Sequence, residues 1–205
     1  MMLAEGVAAL GLTLPEGAAD KLAAYLALLA KWNKVYNLTA IRAPDEMVTH
    51  HLLDSLAVLP VLQKSAPAER RFSLADVGSG AGLPGLVLAI ARPGWEVASI
   101  EAVDKKAAFQ RQAKIELGLA NVSIHCARVE DIEQRFDAAI SRAFASLGDY
   151  VRVAGHLADT LWAMKGGYPA DEIAGLPPVF RMAACHVLAV PGLGAERHLL
   201  QLEKN

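Results

Sequence analysis

Cysteine is scarce: the chain has two in 205 residues, Cys126 and Cys185, with no Cys-x-x-Cys and no Cys/His pair at zinc spacing. That excludes a disulfide scaffold and a zinc finger. His125-Cys126 and Cys185-His186 are adjacent pairs, and neighbours on a strand point to opposite faces. A strand pairing that joined one member of each is the one route to a metal site; small buried hydrophobes are the simpler reading, and no metal is expected. No run of about 18 uncharged apolar residues exists to cross a bilayer, so no membrane partner is expected. Met1-Met2-Leu3-Ala4-Glu5 lacks the basic start and apolar core of a signal peptide, which makes the cytoplasm the expected location. Charge of one sign is also missing. Twenty basic residues face 22 acidic ones, a net of −2, so a polyanion must be held by a local basic patch.

What is present is apolar and patterned. With 54% hydrophobic residues, the chain has material for one α/β domain plus an appendage. Leu22, Tyr25, Leu26, Leu29 and Trp32 recur at helical steps, with Asp20 as a candidate cap. A second helix is expected from Pro44-Asp45-Glu46, with proline in its first turn and acids at its positive end. Met47, Leu53, Leu56 and Leu59 continue it until Pro60 stops it. Trp32–Thr39 shows no clear period. A polar linker over residues 64–71 then separates an N-terminal helical extension, 1–68, from a Rossmann-like domain, 69–205.

In the second part strand-length apolar runs alternate with helices. Strands are expected over Phe72–Val77, Val97–Glu101, Val122–Cys126, Phe136–Ser141 and Leu161–Lys165. Helices are expected over Gly85–Arg92, Lys105–Leu117 and Leu147–Leu157. This order implies a parallel sheet covered on both faces. Val179–Val190 and Arg197–Glu203 have no helix between them. Joined at Pro191-Gly192-Leu193-Gly194, they form an antiparallel hairpin, because a parallel crossover needs a dozen or more residues. A mostly parallel seven-stranded sheet with a reversed C-terminal strand marks class I S-adenosylmethionine-dependent methyltransferases.

Asp76-Val77-Gly78-Ser79-Gly80-Ala81-Gly82-Leu83-Pro84-Gly85 closes the first strand and opens a helix. Glycine permits positive φ and lets backbone approach a ligand, and this edge of an α/β sheet is where ligands bind. Glu101, 23 positions after Gly78, is placed to accept ribose hydroxyls. NAD is the rival cofactor, since Gly80–Gly85 also matches G-x-G-x-x-G. Asp76, two residues before Gly78, and the reversed hairpin favour S-adenosylmethionine, because an acid there would repel a pyrophosphate. Val129-Glu130-Asp131 follows the third strand, where this fold holds adenine; the alternative is a simple helix cap.

The acceptor is narrowed by further absences. The Pro-Pro pair lies in Leu176-Pro177-Pro178-Val179, unlike the tetrad that methylates adenine amino groups. Neither cysteine follows a proline, as a carbon-5 pyrimidine nucleophile does. A ring nitrogen such as guanine N7 carries an in-plane lone pair and loses no proton, so alignment and electrostatics suffice without a general base.

Trp32-Asn33-Lys34-Val35-Tyr36-Asn37-Leu38-Thr39, His51-Leu52-Leu53-Asp54-Ser55-Leu56, the glycine loop, Ser141-Arg142-Ala143-Phe144-Ala145, Lys165-Gly166 and Glu196-Arg197-His198-Leu199 together resemble the bacterial small-subunit ribosomal RNA methyltransferase G family. The resemblance implies N7 methylation of one guanine in the decoding-region loop of 16S rRNA, on naked RNA or the small subunit. It places Gly78, Gly80 and Leu83 in the cofactor pocket and Val129 and Glu130 at the adenosine. Arg142 falls at the cofactor near the acceptor. The second-strand acid of the family resembles aspartate, and here it is Glu101, one methylene longer. Lys165, ending the fifth strand, is a candidate RNA-phosphate or acceptor contact, with a solvated lysine as the alternative. Lys105, Lys106, Arg111 and Lys114 on one helix, with Arg70 and Arg71, form a candidate RNA patch, although a charged helix face is usually just solvated. His50 and His51 are either packed or substrate-facing.

Overall fold

The computed structural model describes residues 2–66 and 71–205. Helices come first: α1 (Leu3–Ala9), α2 (Ala18–Tyr36), α3 (Pro44–Met47), a π-helical turn (Val48–Leu53), α4 (Asp54–Leu56) and α5 (Leu59–Ser65). Then β1 (Ser73–Val77), α6 (Gly85–Ala91), β2 (Glu96–Ile100), α7 (Asp104–Glu116) and β3 (Val122–His125) alternate. A 3-10 turn (Val129–Asp131) leads to β4 (Ala138–Arg142), α8 (Leu147–Ala154) and β5 (Thr160–Lys165). The chain ends with α9 (Ala170–Ala174), β6 (Phe180–Val187) and β7 (His198–Lys204).

The seven strands form one sheet in the order β3-β2-β1-β4-β5-β7-β6. β1 to β5 pair in parallel, and β7 runs antiparallel to both β5 and β6. This is the expected sheet, with its reversed strand inserted beside β5. The hairpin connection is longer than the four-residue turn expected, because β6 stops at Val187 and β7 starts at His198. Leu188 N–H to Arg197 O, at 2.7 Å, closes its neck.

Successive strand residues serve opposite faces, as the two-residue pleat requires. Leu74, Val97, Ile140 and Trp162 pack with α6, with Phe109 of α7, and with Leu22, Leu29, Leu52 and Leu56 of the N-terminal helices. Ala75, Val77, Ile100 and Leu161 pack with Tyr150, Val151 and Ala154 of α8 on the other side. The N-terminal helices thus share a core with one face of the sheet. The boundary expected near 68/69 lies outside the described residues, as does Arg70.

Three local expectations differ. The cap of α2 is Gly17 at φ 73°, not Asp20, which sits in the first turn. α2 also runs through Trp32 to Tyr36, where Asn37 stops it at φ 50°, a left-handed conformation that asparagine tolerates. Pro60 does not end the helical chain; it occupies the first turn of α5, where a missing N–H costs nothing.

Tyr25 ties the helical layer to the glycine loop. Its hydroxyl, fully buried, donates to Ala81 O at 2.7 Å. Tyr25→Phe leaves that carbonyl without its donor at a cost of about 1–3 kcal/mol. Chemical denaturation measures it: an unchanged midpoint removes the tether from the argument.

Candidate functional site

The fold changes winding direction between β1 and β4: β2 and β3 lie on one side of β1, β4 and β5 on the other. Ligands of open α/β sheets bind outside the carboxyl ends at such a point. Ser141 Oγ donates to Val77 O across this gap at 2.8 Å. The glycine loop leaves β1 here, with Gly78 at φ 67°, Gly80 at 59° and Gly82 at 82°. Around Gly80 no heavy atom lies within 4 Å of the position a Cβ would take, and at Gly78 only Phe144 reaches that distance. At Gly78 and Gly80 the loop is therefore an open cradle of bare backbone, while Gly82 packs on Leu86 and Gly85 on Asp76.

Polar groups beneath hold the cradle in shape. Asp76 Oδ2 accepts from Gly85 N at 2.7 Å. Glu101 Oε2 accepts from Gly80 N and its Oε1 from Val103 N, both at 2.8 Å. Gln110 donates to Gly80 O at 2.8 Å and to Ser79 Oγ at 2.7 Å. Asp76 is fully buried and its Oδ1 has no partner. Burial pushes its carboxyl up to about 7, against the pull of the Gly85 N–H and Arg142, with Glu101 adding to the rise. The negative charge of Glu101 beneath the loop suits a cationic ligand, and Asp76, pushed up to about 7, adds only part of a charge at neutral pH. Because Glu101 already braces the loop through two amides, a ribose would bond to its remaining lone pairs.

Val129 and Glu130 lie in the 3-10 turn past β3, at the same edge, half-buried and exposed respectively. Leu83 is buried within the loop. Arg142 ends β4, and the next residue, Ala143, takes φ 62°, a left-handed conformation costly for any residue with a Cβ. Phe144 then turns back over Gly78 and packs on Tyr150, ring centroids 5.4 Å apart.

Beside this edge opens a cavity of about 380 Å³, walled by Ile41, His50, His51, Asp54, Arg142, Lys165 and Arg197. Asp54 has a side chain 4% exposed; its Oδ2 lies 3.1 Å from Arg142 Nη1 and its Oδ1 2.9 Å from Arg197 Nε. Arg142 Nη1 also donates to His50 O at 2.9 Å. Lys165 reaches Glu172 Oε2 at 2.8 Å, Glu172 Oε1 at 3.1 Å and Phe144 O at 3.3 Å, which occupies its three N–H bonds. Lys165 thus faces the cavity wall while tied to α9.

His51 Nε2 lies 3.0 Å from Thr39 Oγ1, and Thr39 N donates to Asn33 Oδ1 at 2.9 Å. The aperiodic Trp32–Thr39 segment therefore ends as a polar chain leading into the cavity. Burial, then Arg142, pushes His51 down to about 4, so it is neutral at pH 7. The unfolded chain takes up this proton near 6.5, and the folded one only near 4. The native state binds fewer protons in that window, so His51 makes stability fall as pH drops from about 6.5 to 4. Asp76 has the opposite sign between about 4 and 7, so the wild-type curve alone is not diagnostic. His51→Gln is expected to lose less stability than the wild type between pH 7 and 5, measured by urea midpoint. Parallel curves would remove His51 as the source.

Cys126 follows β3 and Cys185 lies in β6, at opposite edges of the sheet, so the two His/Cys pairs are not brought together. Lys105 and Arg111 of α7 are exposed and Lys106 and Lys114 half-buried, with Arg111 3.9 Å from Asp104. No described helix is long and apolar enough to cross a membrane.

Comparison with known proteins fits this geometry. The family described as rRNA small subunit methyltransferase G matches residues 18–200. The chain belongs to that family. Ribosomal RNA small subunit methyltransferase G of Azoarcus sp. (strain BH72) is 57% identical over 98% of this chain and 95% of its own length. The protein of that name from Burkholderia ambifaria is 50% identical over 98% and 90%. Magnesium protoporphyrin IX methyltransferase from Synechocystis PCC 6803, crystallised with S-adenosylmethionine, shares the fold at TM-score 0.59 and 13% identity, covering 88% of this chain and 97% of that one. The fold is that of class I methyltransferases, and the cofactor of the family is S-adenosylmethionine; the NAD alternative falls away.

The sequence leaves His51 either packed or substrate-facing and assigns no role to Asp54, Arg197 or Glu172. The one local signal was an acid within the apolar run Leu52-Leu53-Asp54-Ser55-Leu56, which a helix can bury only with partners.

Proposed function

We propose that the protein methylates N7 of one guanine in the decoding-region loop of 16S rRNA, with the small ribosomal subunit or its RNA as partner. Its family makes it an S-adenosylmethionine-dependent rRNA methyltransferase. The observation that supports the N7 reading is the state of the cavity's polar groups. His51 is pushed down to about 4, too weak a base for proton abstraction at neutral pH. Asp54 is committed to two arginines, and Lys165 to Glu172 and Phe144 O. A wall whose carboxylate and lysine are engaged, and whose His51 is a weak base, suits an acceptor that surrenders no proton.

When bound, S-adenosylmethionine supplies an electrophilic methyl that an in-plane nitrogen lone pair can accept. Gly78, Gly80 and Leu83 would hold it against the loop, Glu101 would take its ribose, and Val129 and Glu130 would meet the adenine. Arg142, between loop and cavity, orients the acceptor, and Lys165 stiffens the wall opposite. The N-terminal helices, as the 1–68 extension, frame the RNA site, and the work is done in the cytoplasm.

Labelled S-adenosylmethionine and small subunits from a strain lacking the gene test this directly. Borohydride and aniline cleavage, which is specific for N7-methylguanine, should break the 16S chain at one decoding-region guanine. Label on an exocyclic amine, a carbon or a ribose would refute it.

A further inference from the structure

The helix that carries Asp54 leaves α-helical register where it meets Arg142. Asp54 N–H bonds to Thr49 O and His51 O, and not to His50 O four residues back. The bond to Thr49, five residues back, is the π pattern, and such turns collect at functional sites. His50 O is met by Arg142 Nη1 at 2.9 Å. The same nitrogen lies 3.1 Å from Asp54 Oδ2, while Asp54 Oδ1 holds Arg197 Nε at 2.9 Å. One buried carboxylate and one displaced carbonyl from the N-terminal helices thus fix a guanidinium that β4 delivers.

We propose that Asp54 is a positioning residue for methyl transfer: with the π turn it sets the guanidinium of Arg142 toward the acceptor, and Arg197 completes the clamp. This rests on the acceptor-facing role of Arg142 given above. A buried ion pair is weak ground for a stability role, because desolvation offsets much of its attraction, and well-packed apolar residues do as well. What a carboxylate bridging two arginines adds, together with the His50 carbonyl, is direction. It acts through Nη1 of Arg142 and leaves Nη2 and Nε without partners among the described residues, beside a cavity of about 380 Å³. The left-handed Ala143, next in the chain, gives Arg142 a second fixed boundary. The fold brings these groups together from 88 positions apart for Arg142 and 143 for Arg197.

The test uses the full chain, unmethylated small subunits, and S-adenosylhomocysteine as the cofactor probe. Asp54→Asn should lower kcat about 100-fold, the penalty of a misplaced catalytic group, while S-adenosylhomocysteine affinity stays near wild type. Asp54→Glu keeps the charge and should recover thermal stability without recovering kcat; it carries the test if Asp54→Asn does not fold. Added to Arg142→Lys, Asp54→Asn should cost little more, because both changes spoil one geometry. Wild-type kcat in folded Asp54→Asn or Asp54→Glu, or losses that simply add in the double variant, would overturn the proposal. A wild-type protein that places no methyl on guanine N7 would instead overturn the proposed function, so the two failures are distinct.

Discussion

Gly78→Val is expected to abolish S-adenosylhomocysteine binding, lowering affinity at least about 100-fold, or ~2.7 kcal/mol. Gly78 sits at φ 67° in the cradle between β1 and α6, with only Phe144 at the edge of contact. A valine there suffers twice. Its Cβ disfavours the left-handed conformation by about 1–2 kcal/mol. Its two methyls also fill the space that ligand must share with bare backbone. Titration calorimetry measures the affinity, and a thermal melt shows that the variant is folded. Gly78→Ala, which carries the conformational cost with less bulk, should fall between. Near-normal affinity in folded Gly78→Val means the cradle is not the cofactor pocket.

Arg142→Ala is expected to reduce single-turnover methyl transfer by about 10²- to 10³-fold, the usual cost of losing one preorganised donor. It should also destabilise the protein by about 3 kcal/mol, the low end for breaking a buried pair, because Arg197 stays on Asp54. The rate loss must exceed what partial unfolding explains, so the assay belongs at a temperature where the melt shows a folded variant. Single-turnover rates equal to wild type would place Arg142 outside the reacting centre.

Both predictions concern residues legible in the sequence, and the reason is local. The glycine loop reads as strand, turn and helix because hydrophobic period, positive-φ residues and helix start fall within about a dozen positions. The five parallel strands match their expected bounds to within one or two residues for the same reason, whereas β6 stops three residues short of Val190. Pleat alternation, turn residues and run length are properties of neighbours. The reversed strand followed from an equally local fact, a connection too short for a crossover.

Tertiary structure decided the rest. Asp54 meets Arg142 and Arg197, Lys165 meets Glu172 and Phe144 O, and Tyr25 meets Ala81, each across turns or whole layers of the fold. No spacing rule encodes such meetings, because a side chain's partner depends on how elements pack, not on its own segment. The π turn at Val48–Leu53 is similarly invisible: Asp54 N–H leaves His50 O only where Arg142 arrives to take it. Lys165 looked like a free cation at a strand end, and packing against α9 engaged it. By itself the sequence determined the sheet, the cradle and the class of cofactor. The carboxylate that holds two arginines beside the cavity came from packing, since a charge is buried only where the folded chain brings its counter-charges to it.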